Sequence, residues 1–292
     1  MRDLIPKRES QSLLIFLVVF LVIGSLSPPV LHGQTPKREV ATADPMPGAS
    51  PLSGSYHALV IGNREYRNLP KLQTSLNDAN AMAQLLHERY GFVTRVLLNA
   101  TRNDIFTALA ECRRTLSEES SLLIYYAGHS YFDRDRDEAY WFPVDARPDN
   151  REKWISADDI TRSVRAIRSK HILIIADSRY SIVLTRDVQA IIDPSERGAY
   201  LARMQASKSR TVMTGGSNEP VAEGNGAHSV FANAVMEGLS HMEESEFTGR
   251  ELFDKYIAQR VANHAYEMRQ YSIIRNSGHE YGDFVFSPKA QK

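Results

Sequence analysis

The sequence predicts an α/β fold in which a mostly parallel sheet is flanked by helices, and three observations predict it. From residue 57 to residue 177, short β-branched and aromatic runs alternate with longer amphipathic stretches. Two of those runs, 122–126 and 172–176, are apolar throughout, as buried strands are. Both end in polar residues, Gly128-His129-Ser130 and Asp177-Ser178-Arg179, which is how an open α/β sheet builds a site at its carboxyl edge.

The first strand is His57 to Ile61. In 78–90 the apolar residues Ala79, Met82, Ala83, Leu85 and Leu86 share one face, an amphipathic helix that packs on that strand. A second strand covers 92–98. Thr101-Arg102-Asn103-Asp104 then caps a helix that buries Ile105, Leu109, Cys112 and Leu116. The strand at 122–126 closes in a tight turn with His129 at its tip. The charge-alternating stretch 133–138 reads as a solvated loop, and Ser156-Ala157-Asp158-Asp159 caps the helix leading to the strand at 172–176. Beyond residue 181 the pattern weakens. Residues 184–203 are polar and mixed, a strand returns at 210–214, helices are expected at 231–239 and 249–264, and a last strand at 283–286. There is no internal repeat and no second domain.

At 292 residues the chain can bury a substantial core. Its 35 basic and 35 acidic residues cancel, so bulk charge gives no preference for nucleic acid or acidic membranes. The single cysteine, Cys112, excludes an intramolecular disulfide. Lys7 and Arg8 precede an uninterrupted apolar run at 13–23, then Gly24, Ser25 and two prolines. That is the layout of a secretory signal, and extension through Leu31 would let the segment remain as an anchor. Residues 1–33 are therefore read as a signal peptide or N-terminal membrane anchor. Residues 34–54, with four prolines, form a flexible linker, and 55–288 form the folded domain. The chain is expected to be exported, periplasmic or extracellular, or attached to a membrane through residues 13–31.

An ordered set of motifs runs along that domain. It starts with His57-Ala58-Leu59-Val60-Ile61-Gly62-Asn63 followed by Tyr66, then Asn77-Asp78-Ala79, Tyr125-Tyr126-Ala127-Gly128-His129-Ser130, and 140–146. It continues with Asp177-Ser178-Arg179-Tyr180-Ser181-Ile182, Asn218-Glu219-Pro220-Val221, His228-Ser229-Val230-Phe231, and 278–284. The set resembles the caspase family in its broad sense, the metacaspase-like and bacterial peptidases of type C14, whose strand ends read YYAGHG and DSCYSG. The resemblance implies the three-layer caspase-like (caspase-hemoglobinase) fold, with a large-subunit-like part to about residue 195 and a small-subunit-like part after it.

In that family a cysteine thiolate attacks the scissile carbonyl, a histidine handles protons and backbone N–H groups hold the oxyanion. The resemblance places His129 at the histidine, Ser130 at the glycine after it on the oxyanion side, and Arg179 at the nucleophilic cysteine. Ile182 stands where the family has glycine. A guanidinium cannot attack a carbonyl, so no meaningful turnover is expected, and Ser178, Ser181 and Cys112 are poor substitutes. In metacaspase-like members two acids make a pocket for a basic P1 side chain, and these match Asp177 and Asp78. Asp78 also suits a helix cap, and both roles can hold at once.

Arg179 could turn toward these carboxylates and occupy the pocket itself. No cofactor is implied except calcium, for which Asp145, Asp158 and Asp159 match acids of some metacaspases, although a fourth position falls near Arg186. Helix capping by 156–159 is the alternative. Three functions follow: a pseudopeptidase that binds a peptide or protein partner, an active peptidase with a displaced nucleophile and basic P1 specificity, or a structural surface module.

Overall fold

The computed structural model describes residues 55–178, 196–215, 226–258 and 270–289. All described residues belong to one compact unit, Val40–Lys292. In chain order the elements are β1 Tyr56–Gly62, α1 Ser75–Tyr90, β2 Val93–Leu98, α2 Arg102–Thr115, β3 Ser121–Ala127, β4 Ser130–Asp133, β5 Glu138–Trp141, β6 Ile155–Ser156, α3 Ala157–Ala166 and β7 His171–Asp177. After them come α4 Arg197–Ala206, β8 Ser209–Thr214, α5 Val230–His241, β9 Phe247–Thr248, α6 Gly249–Leu252, β10 Gln270–Ile273 and β11 Val285–Phe286.

The central sheet has six strands in the order β10-β8-β7-β3-β1-β2. All neighbours pair parallel except β10, which runs antiparallel to β8 at the edge. Because side chains alternate across a strand, each strand feeds two cores. Val60, Leu123, Tyr125, Leu173 and Ile175 face one core with Met82 and Leu86 of α1 and Phe231 and Val235 of α5. Leu59, Ile61, Ile124, Tyr126, Ile172 and Ile174 face the other, with Ile105 and Leu109 of α2 and Ile160 and Val164 of α3. These side chains are almost completely buried, each worth about 1.5–3 kcal/mol relative to exposure. The result is the three-layer α/β arrangement, a mostly parallel sheet flanked by helices, expected from the sequence.

Capping follows the sequence closely in two places. Thr101 and Asp104 form a reciprocal capping box on α2, and Ser156 and Asp159 form one on α3. Elsewhere the structure adds to the expectation or corrects it: residues 134–137 are exposed as expected, but they belong to a hairpin. The stretch 133–138 is the turn of a β4–β5 hairpin, continued by β6 into a three-stranded antiparallel sheet. Asp133 is buried there because Arg151 donates to it from 18 residues away at 2.6 Å, together with the N–H groups of Asp135 and Arg136. Helix α4 lies in the stretch read as mixed, and strand β10 was not anticipated. The helix expected at 249–264 is four residues of α6 followed by a π-helical turn, Phe253–Ile257, and residues 259–269 lie outside the described ones.

Candidate functional site

Ala127 at the end of β3 pairs with Asp177 at the end of β7, so His129 and Asp177 stand at the carboxyl edge of adjacent strands. Two phenols hold the turn between β3 and His129. The His129 N–H donates to the Tyr66 hydroxyl at 2.7 Å, and the Tyr126 hydroxyl donates to the His129 carbonyl at 2.8 Å. Burial raises the pKa of both phenols, so both remain neutral donors and acceptors. Residue 128 must be glycine, since a Cβ there would lie 2.6 Å from the Tyr126 hydroxyl and 2.8 Å from that of Tyr66.

The half-buried His129 ring packs on Tyr66 with centroids 4.7 Å apart, and its Nε2 lies 2.9 Å from the Pro70 carbonyl. A carbonyl only accepts, so Nε2 carries the proton and Nδ1 of the neutral ring is left with the lone pair.

The two acids of the sequence motifs converge on one point, the start of α5. Helix α1 begins at Ser75, three residues before Asp78, with Thr74 at its N-cap. Asp78 therefore does not cap its own helix. Its carboxylate accepts from the His228 Nδ1 at 2.8 Å and from the Ser229 N–H at 3.3 and 3.4 Å. The Ser229 hydroxyl donates to Asp177 and accepts from the Ala232 N–H, capping α5. One serine thus joins both carboxylates.

Burial, and then the charge of Asp78, push the Asp177 carboxyl up to about 7, while the Ser229 hydroxyl pulls the other way. Burial also raises Asp78, and the contacts with Thr74, His228 and the Ser229 N–H hold it down. Tyr125 completes the group: its hydroxyl is buried without a hydrogen-bond partner, and after burial the charges of Asp177 and then Asp78 raise its pKa. Asp78 and Asp177, joined through Ser229, form an acidic cluster beside the unpartnered Tyr125 hydroxyl. Residues 228 and 229 belong to a sequence motif, but their roles had no local signal beyond a serine preceding an apolar run.

Arg179, Ser181, Ile182 and Arg186 lie outside the described residues, and with them the expected contact of Arg179 with Asp177 or Asp78. Ser130 opens β4 opposite Trp141 and is half-buried. Two of the three calcium candidates have other partners. Asp145 accepts the Arg102 N–H at 3.0 Å at the start of α2, and Asp159 caps α3 and pairs with Arg102 and Arg162. Asp158 is exposed in the first turn of α3. Among the described residues no three histidine, cysteine or acidic side chains are grouped to hold a metal ion. Likewise, no described helix is long and apolar enough to cross a membrane, and the segment 13–31 lies outside them.

Residues 55–279 match the family model described as a caspase domain. Over 96 residues the chain is 35% identical to the human mucosa-associated lymphoid tissue lymphoma translocation protein 1 and 34% identical to its mouse homolog. Each match covers 33% of this chain and 11% of the relative, so the chain spans about a ninth of those proteins. A crystal structure of a Geobacter sulfurreducens protein superimposes with a TM-score of 0.49 at 14% identity, covering 80% of this chain and 94% of that one.

Proposed function

The chain belongs to the caspase domain family, and from that premise we propose that it is a catalytically inactive member, a pseudopeptidase that binds a basic peptide or protein segment instead of cleaving it. The observation that carries this reading is Arg179 at the position that resembles the family's nucleophilic cysteine. A guanidinium stays protonated across the accessible pH range and offers no nucleophilic lone pair.

The other nucleophiles support the same reading. Cys112 sits on α2, where burial pushes its thiol up to about 11, so thiolate is scarce at neutral pH. The Ser178 hydroxyl is buried without a hydrogen-bond partner, so it has no general base. The binding role rests on the acidic pocket of Asp78, Asp177 and Tyr125.

Incubation with fluorogenic peptides carrying arginine or lysine at P1, beside an Arg179→Cys comparator, tests the proposal. No release by the native chain agrees with it, and turnover comparable to the comparator favours the alternative, an active peptidase with a displaced nucleophile. His129, at the position that resembles the family's histidine, is what keeps that alternative in play. A structural surface module predicts instead that charge reversal at Asp78 and Asp177 leaves all binding unchanged. Residues 1–33 are proposed to export the domain or anchor it to a membrane, which the mass and partitioning of the mature protein would reveal.

A further inference from the structure

The acidic pocket is already occupied from within. Asp78 is only 1% exposed at its side chain, whereas the imidazole paired with it is 24% exposed. The ring is thus the more exposed partner of the pair. The short strap that carries it is tied to the first turn of α1 by two consecutive side chains: the Asn77 Nδ2 donates to the Ala227 carbonyl at 3.4 Å, and Asp78 holds residues 228 and 229. At the amino side of the strap Gly226 has a φ of 76°, a left-handed conformation natural to glycine, and an added Cβ there would meet nothing within 4 Å. Asp177 and Tyr125 line the same pocket but do not contact the imidazole through any described hydrogen bond, so the ring is tied by Asp78 and by its own backbone, whose carbonyl accepts from Asn233 at 3.5 Å.

We propose that His228 is a displaceable gate on the acidic pocket: its imidazole takes the place at Asp78 that a ligand's cationic side chain requires, and the ligand binds by pushing it aside. The inference rests on the pocket reading above and adds what regulates it. An occupant of its own chain lowers the apparent affinity for a ligand by the free energy needed to dislodge it. Here that is one hydrogen bond to a carboxylate, so the gate sets affinity and discriminates against weakly basic groups rather than closing the pocket outright.

The test uses the full chain and a labelled acetyl-tetrapeptide amide ending in arginine, with a norleucine-ended control, in an equilibrium fluorescence-anisotropy titration. His228→Ala removes the occupant and is expected to tighten binding by about fivefold, the factor one such hydrogen bond represents. His228→Arg supplies a longer resident cation and is expected to weaken binding by at least about fivefold on the same ground. Either variant alone reads the gate if the other does not fold. Affinities equal to native in a folded variant overturn the gate while leaving the pocket reading intact. Absence of arginine-dependent binding by native chain and variants alike overturns both.

Discussion

Replacing Asp177 by asparagine gives a difference in stability whose dependence on pH is set by the acidic pocket. In the folded chain the Asp177 carboxyl is pushed up from its ordinary 3.8 to about 7. An acid raised on folding binds its proton more tightly in the folded state, so its contribution is fully present below about pH 4 and is lost as pH rises through about 7. Asparagine has the same shape, carries no charge and does not pay this cost.

A shift of about three units corresponds to about 4 kcal/mol at full burial. Asp177 is only partly buried by surface exposure, and solvent screening reduces the expectation to about 2 kcal/mol. Urea unfolding of native chain and Asp177→Asn at pH 4, 5, 6, 7 and 8 measures it. The variant should be no more stable than native at pH 4, gain steadily, and level off above pH 7 at about 2 kcal/mol in its favour. Taking the difference cancels groups common to both proteins: His171 and His279, pushed down to about 4, and Asp283, pushed up to about 6. A difference that does not change with pH, or that changes in the opposite direction, would refute the burial of this carboxyl beside Asp78.

Three further outcomes follow from the turn and the core. Gly128→Ala places a methyl group against two buried phenols and should cost about 1–3 kcal/mol in urea unfolding, with loss of the His129 amide's native chemical shift. Tyr66→Phe leaves the His129 N–H without its acceptor and should cost about 1–2 kcal/mol, measured the same way, with faster hydrogen exchange at that amide. Cys112, with its thiol at about 11, should react with iodoacetamide at pH 8 far more slowly than glutathione does, and the rate should rise tenfold per pH unit up to that value.

Five of the six strands of the sheet were legible as short β-branched or aromatic runs, four of them closed by glycine or acid, and the two capping boxes because all their atoms come from four consecutive residues. What escaped was set by distant partners. The hairpin turn at 133–138 is solvated at 134–137, as it reads, but nothing local reports that Arg151, 18 residues on, pairs with the buried Asp133 carboxylate. Helix α4 buries only Leu201, too little for a visible period, and β10 owes its existence to pairing with β8 across the sheet edge. Asp78 and Asp177 were both singled out in the sequence, and Ser229 joins them, but α1 takes Thr74 rather than Asp78 as its N-cap. The partners of Asp78, His228 and Ser229, are 150 and 151 residues away, a separation that no local pattern reports.

The most direct measurement is an equilibrium titration of the native chain with the arginine-ended peptide extended by two residues beyond the arginine, followed by mass spectrometry of the recovered peptide. The account predicts saturable binding that Asp78→Asn or Asp177→Asn weakens, with the peptide recovered at its full mass. Recovery of two fragments split after the arginine, in the absence of any other peptidase, would contradict it.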